Sequence, residues 1–295
     1  MILNVSGRTD IVAFYTEWFI NRLREWYIDV RNPFYEKNIS RIMIKDVDLI
    51  MFCTKNPIPI IKYLKEIDKP IIFHITITPY NKDIEPNVPD KKLVIESVKE
   101  ISKIIGIENT YIRYDPIFLN EKYNLDYHIK LFDKLCNHLD GYIKNIIVSF
   151  IDDYKNVRKN KNILKIIPFS ENDYMEIGKN FSMIARKHNM TVQTCFEDRN
   201  LCEYGFIKKD CLPLELAFKL TGKSNYKKWK ARTENKCKCV EMVDIGVYNT
   251  CKHLCKYCYA NYDEEKITEI TKNHDKNSSL LIGKLNKDDI IKVRK

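Results

Sequence analysis

Short, nearly continuous apolar runs alternate with longer amphipathic ones along most of the chain. The runs Ile2–Val5, Leu49–Cys53, Pro70–Ile77, Thr110–Tyr114, Asn145–Phe150 and Met190–Cys195 are rich in β-branched and aromatic residues. Runs of this length without alternation suit strands buried on both faces of a parallel sheet. Between them Ile11, Phe14, Trp18 and Arg22 recur at the helical period, with Tyr15, Phe19 and Leu23 widening the stripe and Thr9 and Asp10 placed to cap it. A second helix is predicted after Asp90, with Val94, Val98, Ile101 and Ile105 on one side and Gly106 as its stop. A third opens with Ser170 and Asp173 in capping-box positions before Tyr174, Ile177, Phe181 and Ile184. The stretch from Tyr27 to Ile44 has room for one more strand. No internal repeat or low-complexity linker interrupts the series.

Strand-then-helix alternation predicts the α/β class and, within it, a β/α barrel of the TIM kind, complete or partial. In such barrels the active site forms from loops after the carboxyl ends of the strands. The catalytic candidates at those positions are Arg8 and Asp10, Lys55 and Asn56, Arg113 and Asp115, and Glu197, with Thr76 and Thr78 as cofactor-binding candidates. Arg113 and Asp115 are two apart on a strand and so face the same way, either as a site for a carboxylate or ribose or as a plain ion pair. Simpler readings stand beside the others. Asp10 caps a helix, Asn56-Pro57 begins one, and Arg8 and Lys55 lie solvated unless an anionic group meets them. His74 reads as a satisfied core histidine, and Cys53 and Cys136 read as small buried hydrophobes.

The cysteines add a second pattern. Eight of the ten lie between Cys195 and Cys258, which predicts a β/α barrel over residues 1–194 and a cysteine-rich iron–sulfur module over residues 195–295, packed on the barrel mouth. Cys251, Cys255 and Cys258 form C-x3-C-x2-C with Tyr257 just before the last thiol. That spacing resembles the signature of radical S-adenosylmethionine enzymes, in which three thiolates hold a [4Fe–4S] cluster and leave one iron open to S-adenosylmethionine. The resemblance implies that the reduced cluster passes one electron into the sulfonium, giving methionine and a 5′-deoxyadenosyl radical that abstracts a substrate hydrogen. It places Tyr257 beside the adenine. Those enzymes usually carry the loop after their first strand; here it comes at residue 251, and no Gly-Gly-Glu-type stretch follows a second strand. Cys195, Cys202, Cys211, Cys237 and Cys239 remain as candidates for a second cluster, which needs about four thiolates.

Composition narrows the setting. The 295 residues are 44% hydrophobic, enough for a sizeable core, and carry a formal charge of +10, which permits an anionic partner without specifying one. No apolar run approaches the ~20 residues that span a bilayer, and nothing at the N-terminus resembles a signal peptide, so a cytoplasmic protein without membrane contact is expected. In a reducing compartment cysteines serve metals, catalysis or burial rather than disulfides. Two other functions compete with radical chemistry. One is an electron-transfer protein whose cluster takes a fourth ligand such as Cys202 or Asp244. The other, less favoured, is a zinc-stabilised nucleic-acid-binding module using Tyr248, Tyr257, Tyr259 and Tyr262 among Lys252, His253 and Lys256. No Gly-rich phosphate loop or Gly-x-Ser-x-Gly elbow occurs.

Over nearly its whole length the chain closely resembles an uncharacterised bacterial family, a domain of unknown function with a C-terminal cysteine cluster like that of radical S-adenosylmethionine enzymes. The stretches that carry the resemblance are Ser6-Gly-Arg-Thr-Asp10, Val30-Arg-Asn-Pro-Phe34, Thr54-Lys-Asn-Pro57, Ile75-Thr-Ile-Thr78, Tyr114-Asp-Pro116, Tyr204-Gly205, Arg232 to Cys239, and Asp244 to Asn261. It selects Cys195, Cys211, Cys237 and Cys239 as the second-cluster set. It departs after Cys211, where Leu212-Pro213 replace an Ile-Asp pair. The resemblance implies one such cluster or two, S-adenosylmethionine, and a reductant such as a flavodoxin or ferredoxin, but no particular substrate.

Overall fold

A computed structural model describes residues 1–194, 197, 199–229, 238–261 and 263–294. In chain order its elements are β1 (Ile2–Val5), α1 (Ile11–Phe14), α2 (Thr16–Arg24), β2 (Tyr27–Arg31), β3 (Asn38–Met43), β4 (Leu49–Thr54), β5 (Ile71–Thr76), α3 (Lys91–Ile105), β6 (Thr110–Ile117) and α4 (Leu125–His138). Then follow β7 (Asn145–Phe150), α5 (Lys155–Lys159), α6 (Lys161–Leu164), α7 (Glu171–Lys187), β8 (Thr191–Thr194), β9 (Ile207–Lys208), α8 (Leu214–Thr221), β10 (Met242–Asp244), α9 (Glu264–Thr271) and β11 (Ile290–Val293).

Each of the six apolar runs becomes a strand of one eight-stranded, all-parallel sheet in the order β10-β1-β4-β5-β6-β7-β8-β9. The period of two divides their side chains between two buried faces. Leu3, Phe52, Phe73, Ile112 and Val148 point to the face covered by helices, where Trp18, Val98, Phe132 and Phe181 complete the main core. Ile2, Met51, Ile72, Tyr111 and Ile147 point the other way and pack against Cys211, Leu212, Ala217, Cys239 and Val240. Burial on both sides is why the runs are apolar without alternation.

The α/β class is as expected, but the barrel is not. The sheet is open, with β9 and β10 as its two edges among the described residues. The reason is where the C-terminal chain goes. A closed eight-stranded barrel fills its interior with its own strand side chains. Here segments around Cys211 and Cys239 cover that face instead, and the two edge strands are only two and three residues long. Nor is there a separate cysteine-rich module among the described residues. β9 and β10 extend the main sheet, and β11 pairs with β3 in a smaller sheet ordered β11-β3-β2. The Tyr27–Ile44 stretch thus supplies a hairpin outside the main sheet.

The helix expected from Ile11 breaks at Tyr15, which leaves helical geometry at φ −136°, ψ 23° and donates its hydroxyl to Thr250 O at 2.6 Å. The expected caps form on α3 and α7, and a glycine also ends α8. Asp90 accepts from Lys92 N, Ser170 and Asp173 make the reciprocal box, and Gly106 and Gly222 close their helices at φ +92° and +71°. No helix among the described residues is long and apolar enough to cross a membrane.

Candidate functional site

The loop carrying the three closely spaced cysteines folds back over the carboxyl ends of the sheet strands, where open α/β sheets place their ligands. Many polar contacts hold it there. Asn261 Nδ2 donates to Cys251 O at 2.8 Å, Lys256 N to Ile84 O at 3.0 Å, and Asn160 Nδ2 to Lys256 O at 2.7 Å. Asn87 Nδ2 donates to Lys252 O at 2.8 Å, and the Tyr259 hydroxyl donates to Gly7 O. Inside the loop Leu254 adopts φ +59°, a left-handed conformation that costs a residue with a Cβ ~1–2 kcal/mol and is sustained by these contacts.

Two buried carboxylates tie the loop to the sheet. Asp10 accepts from Ala13 N as the cap of α1, while its other oxygen accepts from Thr54 Oγ1 at 3.0 Å, Lys55 N at 2.8 Å and His253 Nε2 at 3.0 Å. The cap and the site are therefore one residue. Glu85, 1% exposed in the loop after β5, accepts from Thr78 Oγ1 at 2.6 Å, Lys55 Nζ at 2.8 Å, Lys91 Nζ and the Tyr257 hydroxyl. Burial opposes its charge, but the ammonium groups of Lys55 and Lys91 overcome that and carry its pKa down to about 2. Burial likewise opposes the charge of Lys55, and Glu85 outweighs it, holding that pKa above the usual lysine value.

The three thiols stand among these groups. Cys251 and Cys255 are buried and Cys258 is partly so; desolvation pushes all three thiols up. Cys255 lies within electrostatic reach of both other thiols and of Lys55 and Glu85. Main-chain N–H groups of His253 and Asp10 point at the Cys251 sulfur, and Ala260 N lies 3.4 Å from Cys258 Sγ. Lys55 Nζ sits 5.5 Å from the centre of the Tyr257 ring. Among the described residues no three His, Cys, Asp or Glu side chains already converge on the geometry of a single metal ion.

Arg113, Asp115 and Ser149 form the adjoining group. Arg113 Nε and Nη2 donate to Asp115 Oδ2 at 2.9 and 2.6 Å, Ser149 Oγ donates to Asp115 Oδ1, and Arg113 Nη1 lies 3.3 Å from Cys211 Sγ. Thr76 stands beside Arg113 in the β5–β6 register. Arg8 pairs with Asp244 on the β10 edge at 3.4 Å, and burial raises the Asp244 pKa against the pull of that guanidinium. Gly7 and Gly246 close on the same carboxylate; a Cβ added at Gly7 would come within 1.7 Å of Asp244 Oδ2.

Asn56 and Glu197 have local contacts. Asn56 Oδ1 accepts from Ile58 N at 3.3 Å in the turn after β4, and Glu197 Oε1 accepts from Phe150 N at 2.9 Å at the end of β7. Cys195 and Cys237 of the second thiol set lie outside the described residues, as does Tyr262, while Cys211 and Cys239 are buried with α8 on the face opposite α2, α3, α4 and α7. Glu85 and Asn87 gave no periodic signal in the sequence because they sit in a long loop, and Lys91 opens α3 as one of that helix's several lysines. A Glu between Ile84 and Pro86, close to Tyr80 and Val88, was the available signal.

Fold and site together define an α/β protein with a polar rim at the carboxyl ends of its parallel strands and a cysteine-bearing loop packed on that rim. The chain belongs to the family described as Domain of unknown function (DUF1848), which matches residues 2–260. No curated protein matches it.

Proposed function

We propose that Cys251, Cys255 and Cys258 hold an iron–sulfur cluster with one open iron, and that the protein is an enzyme of the radical S-adenosylmethionine kind acting on an unidentified substrate. The observation that carries this reading is the return of the C-x3-C-x2-C loop to the strand ends, its three thiols in mutual electrostatic reach beside Lys55. The donor set fits such a group. Three thiols on one loop suit a cluster with an open position, and N–H donors to sulfur together with a nearby cation are features that tune one. Asn261 Oδ1, buried beside Cys251 without a hydrogen-bond partner, marks a polar position within the loop.

The bound cluster would supply one electron to the sulfonium of S-adenosylmethionine, drawn from a flavodoxin or ferredoxin. The chain's own residues do the placing. Glu85 fixes the Tyr257 ring and keeps Lys55 charged next to Cys255. Asp10 holds His253, and with it the first half of the loop, against β4. Arg113 and Asp115 offer a guanidinium and a carboxylate within the same rim, suited to the carboxylate and ammonium ends of an amino acid. Against a nucleic-acid platform, His253 and Tyr257 face inward at 2% and 7% exposure, leaving no room for bases to stack on them.

The test is anaerobic reconstitution with iron and sulfide, followed by electron paramagnetic resonance of the reduced protein. Stoichiometric iron and sulfide, with a signal that changes when S-adenosylmethionine is added, is expected. Stoichiometric zinc with little sulfide would overturn the assignment. A cluster whose signal ignores S-adenosylmethionine would favour simple electron transfer.

A further inference from the structure

We infer that the sheet face opposite α2, α3, α4 and α7 carries a second metal-binding site, with His74 and Cys211 as ligands and Cys53 and Cys239 beside them. It uses none of the residues of the C-x3-C-x2-C loop. His74 is fully buried on β5, and neither ring nitrogen has a hydrogen-bond partner among the described residues. The reading of a satisfied core histidine therefore fails. Leaving a buried polar group unpaired costs ~1–3 kcal/mol, and an imidazole kept neutral by burial has a lone pair to give a metal.

The neighbours of His74 are donors of the matching kind. In the strand register Cys53 on β4 and Tyr111 on β6 stand directly beside it, so the three side chains share one face on strands ~4.8 Å apart. Cys211 comes down onto that face from the crossing segment. Its sulfur lies 3.3 Å from Arg113 Nη1, two residues beyond Tyr111, and within electrostatic reach of Cys53, His74 and Tyr111. Cys239 packs in the same cluster, with Leu212 N donating to its sulfur at 3.4 Å. A guanidinium and a main-chain N–H aimed at sulfur favour the thiolate that a metal requires. Imidazole with thiolates selects a thiophilic transition metal, either zinc or the iron of a cluster. The donors do not yet meet at one point. Cys211 and Cys239 lie on irregular chain, which can close on a metal more readily than a strand.

Metal and acid-labile sulfide are to be measured on the anaerobically purified full chain in four forms. These are the wild type, the Cys251→Ala/Cys255→Ala/Cys258→Ala variant, and that variant with either His74→Gln or Cys211→Ser added. The three-alanine variant is expected to keep stoichiometric metal and to lose it severalfold with either addition; sulfide then separates a cluster from zinc. A three-alanine variant that is metal-free yet melts like the wild type overturns the second site and leaves the loop site standing. Metal unaffected by the three alanines but lost with His74 and Cys211 contradicts the loop reading alone. A wild type that binds no metal overturns both. If the added substitutions unfold the chain, nitrogen hyperfine coupling in the cobalt-loaded three-alanine variant reads the imidazole directly. Its absence overturns the assignment of His74.

Discussion

Glu85 is the residue on which the site's electrostatics turn. Its carboxylate accepts from four donors, and its pKa of about 2 lies below the ordinary 4.5. A depressed carboxylate stabilises the fold fully above its unfolded pKa and ceases to do so as pH falls through the folded one. The protein should therefore lose stability between pH 4.5 and about 2. In Glu85→Gln, urea melts across that window should show a shallower acid limb; an unchanged slope would refute the assignment. At neutral pH, Glu85→Ala leaves Lys55 and Lys91 without their partner in a buried site, a change expected to cost ~3–5 kcal/mol in the same melts. Gly7 is a second residue with a definite requirement. Overpacking against Asp244 predicts a loss of ~1–3 kcal/mol for Gly7→Ala. Adding Asp244→Gly should recover part of it, because the clash is with that side chain; equal losses in the single and double variants would place the cause elsewhere. Glu85 was hidden because a lone acid in an aperiodic loop looks solvated until the fold surrounds it. Asp10, Lys55 and Thr78 were readable because strand ends can be located from apolar runs, and polar residues just beyond them are few.

At the scale of elements, the join of α1 and α2 and the cysteine loop depend on each other. Tyr15 breaks the helix and spends its hydroxyl on Thr250 O, next to Cys251, so the N-terminal helices and the C-terminal loop share an anchor. Tyr15→Phe removes one buried hydrogen bond and is expected to cost ~1–3 kcal/mol, since Thr250 O loses its donor. Hydrogen exchange should show faster opening across residues 249–261 than in α7, which lies far along the sheet. Uniform acceleration would mean that the bond supports the whole fold instead. The helical stripe beginning at Ile11 gave no sign of this break, since Tyr15 and Phe19 extend the stripe smoothly and the interruption serves a partner 235 residues away. Local signals fared better where the cause is local, as with the Ser170–Asp173 box and the Gly106 stop.

For the molecule as a whole, six strands could be read from the sequence and the closure of the sheet could not. Closure depends on β9 and β10, two and three residues long, too short to show any period, and on a C-terminal segment that covers one face. The open sheet still brings the late cysteine loop to the strand ends. That placement underlies the proposal that the chain cleaves S-adenosylmethionine reductively at a cluster held by Cys251, Cys255 and Cys258. The most direct measurement is the release of 5′-deoxyadenosine from S-adenosylmethionine by the anaerobically reconstituted, dithionite-reduced protein. Release by the wild type and none by Cys255→Ala is expected. Wild-type protein that holds iron and sulfide in stoichiometric amounts yet releases no 5′-deoxyadenosine would contradict it.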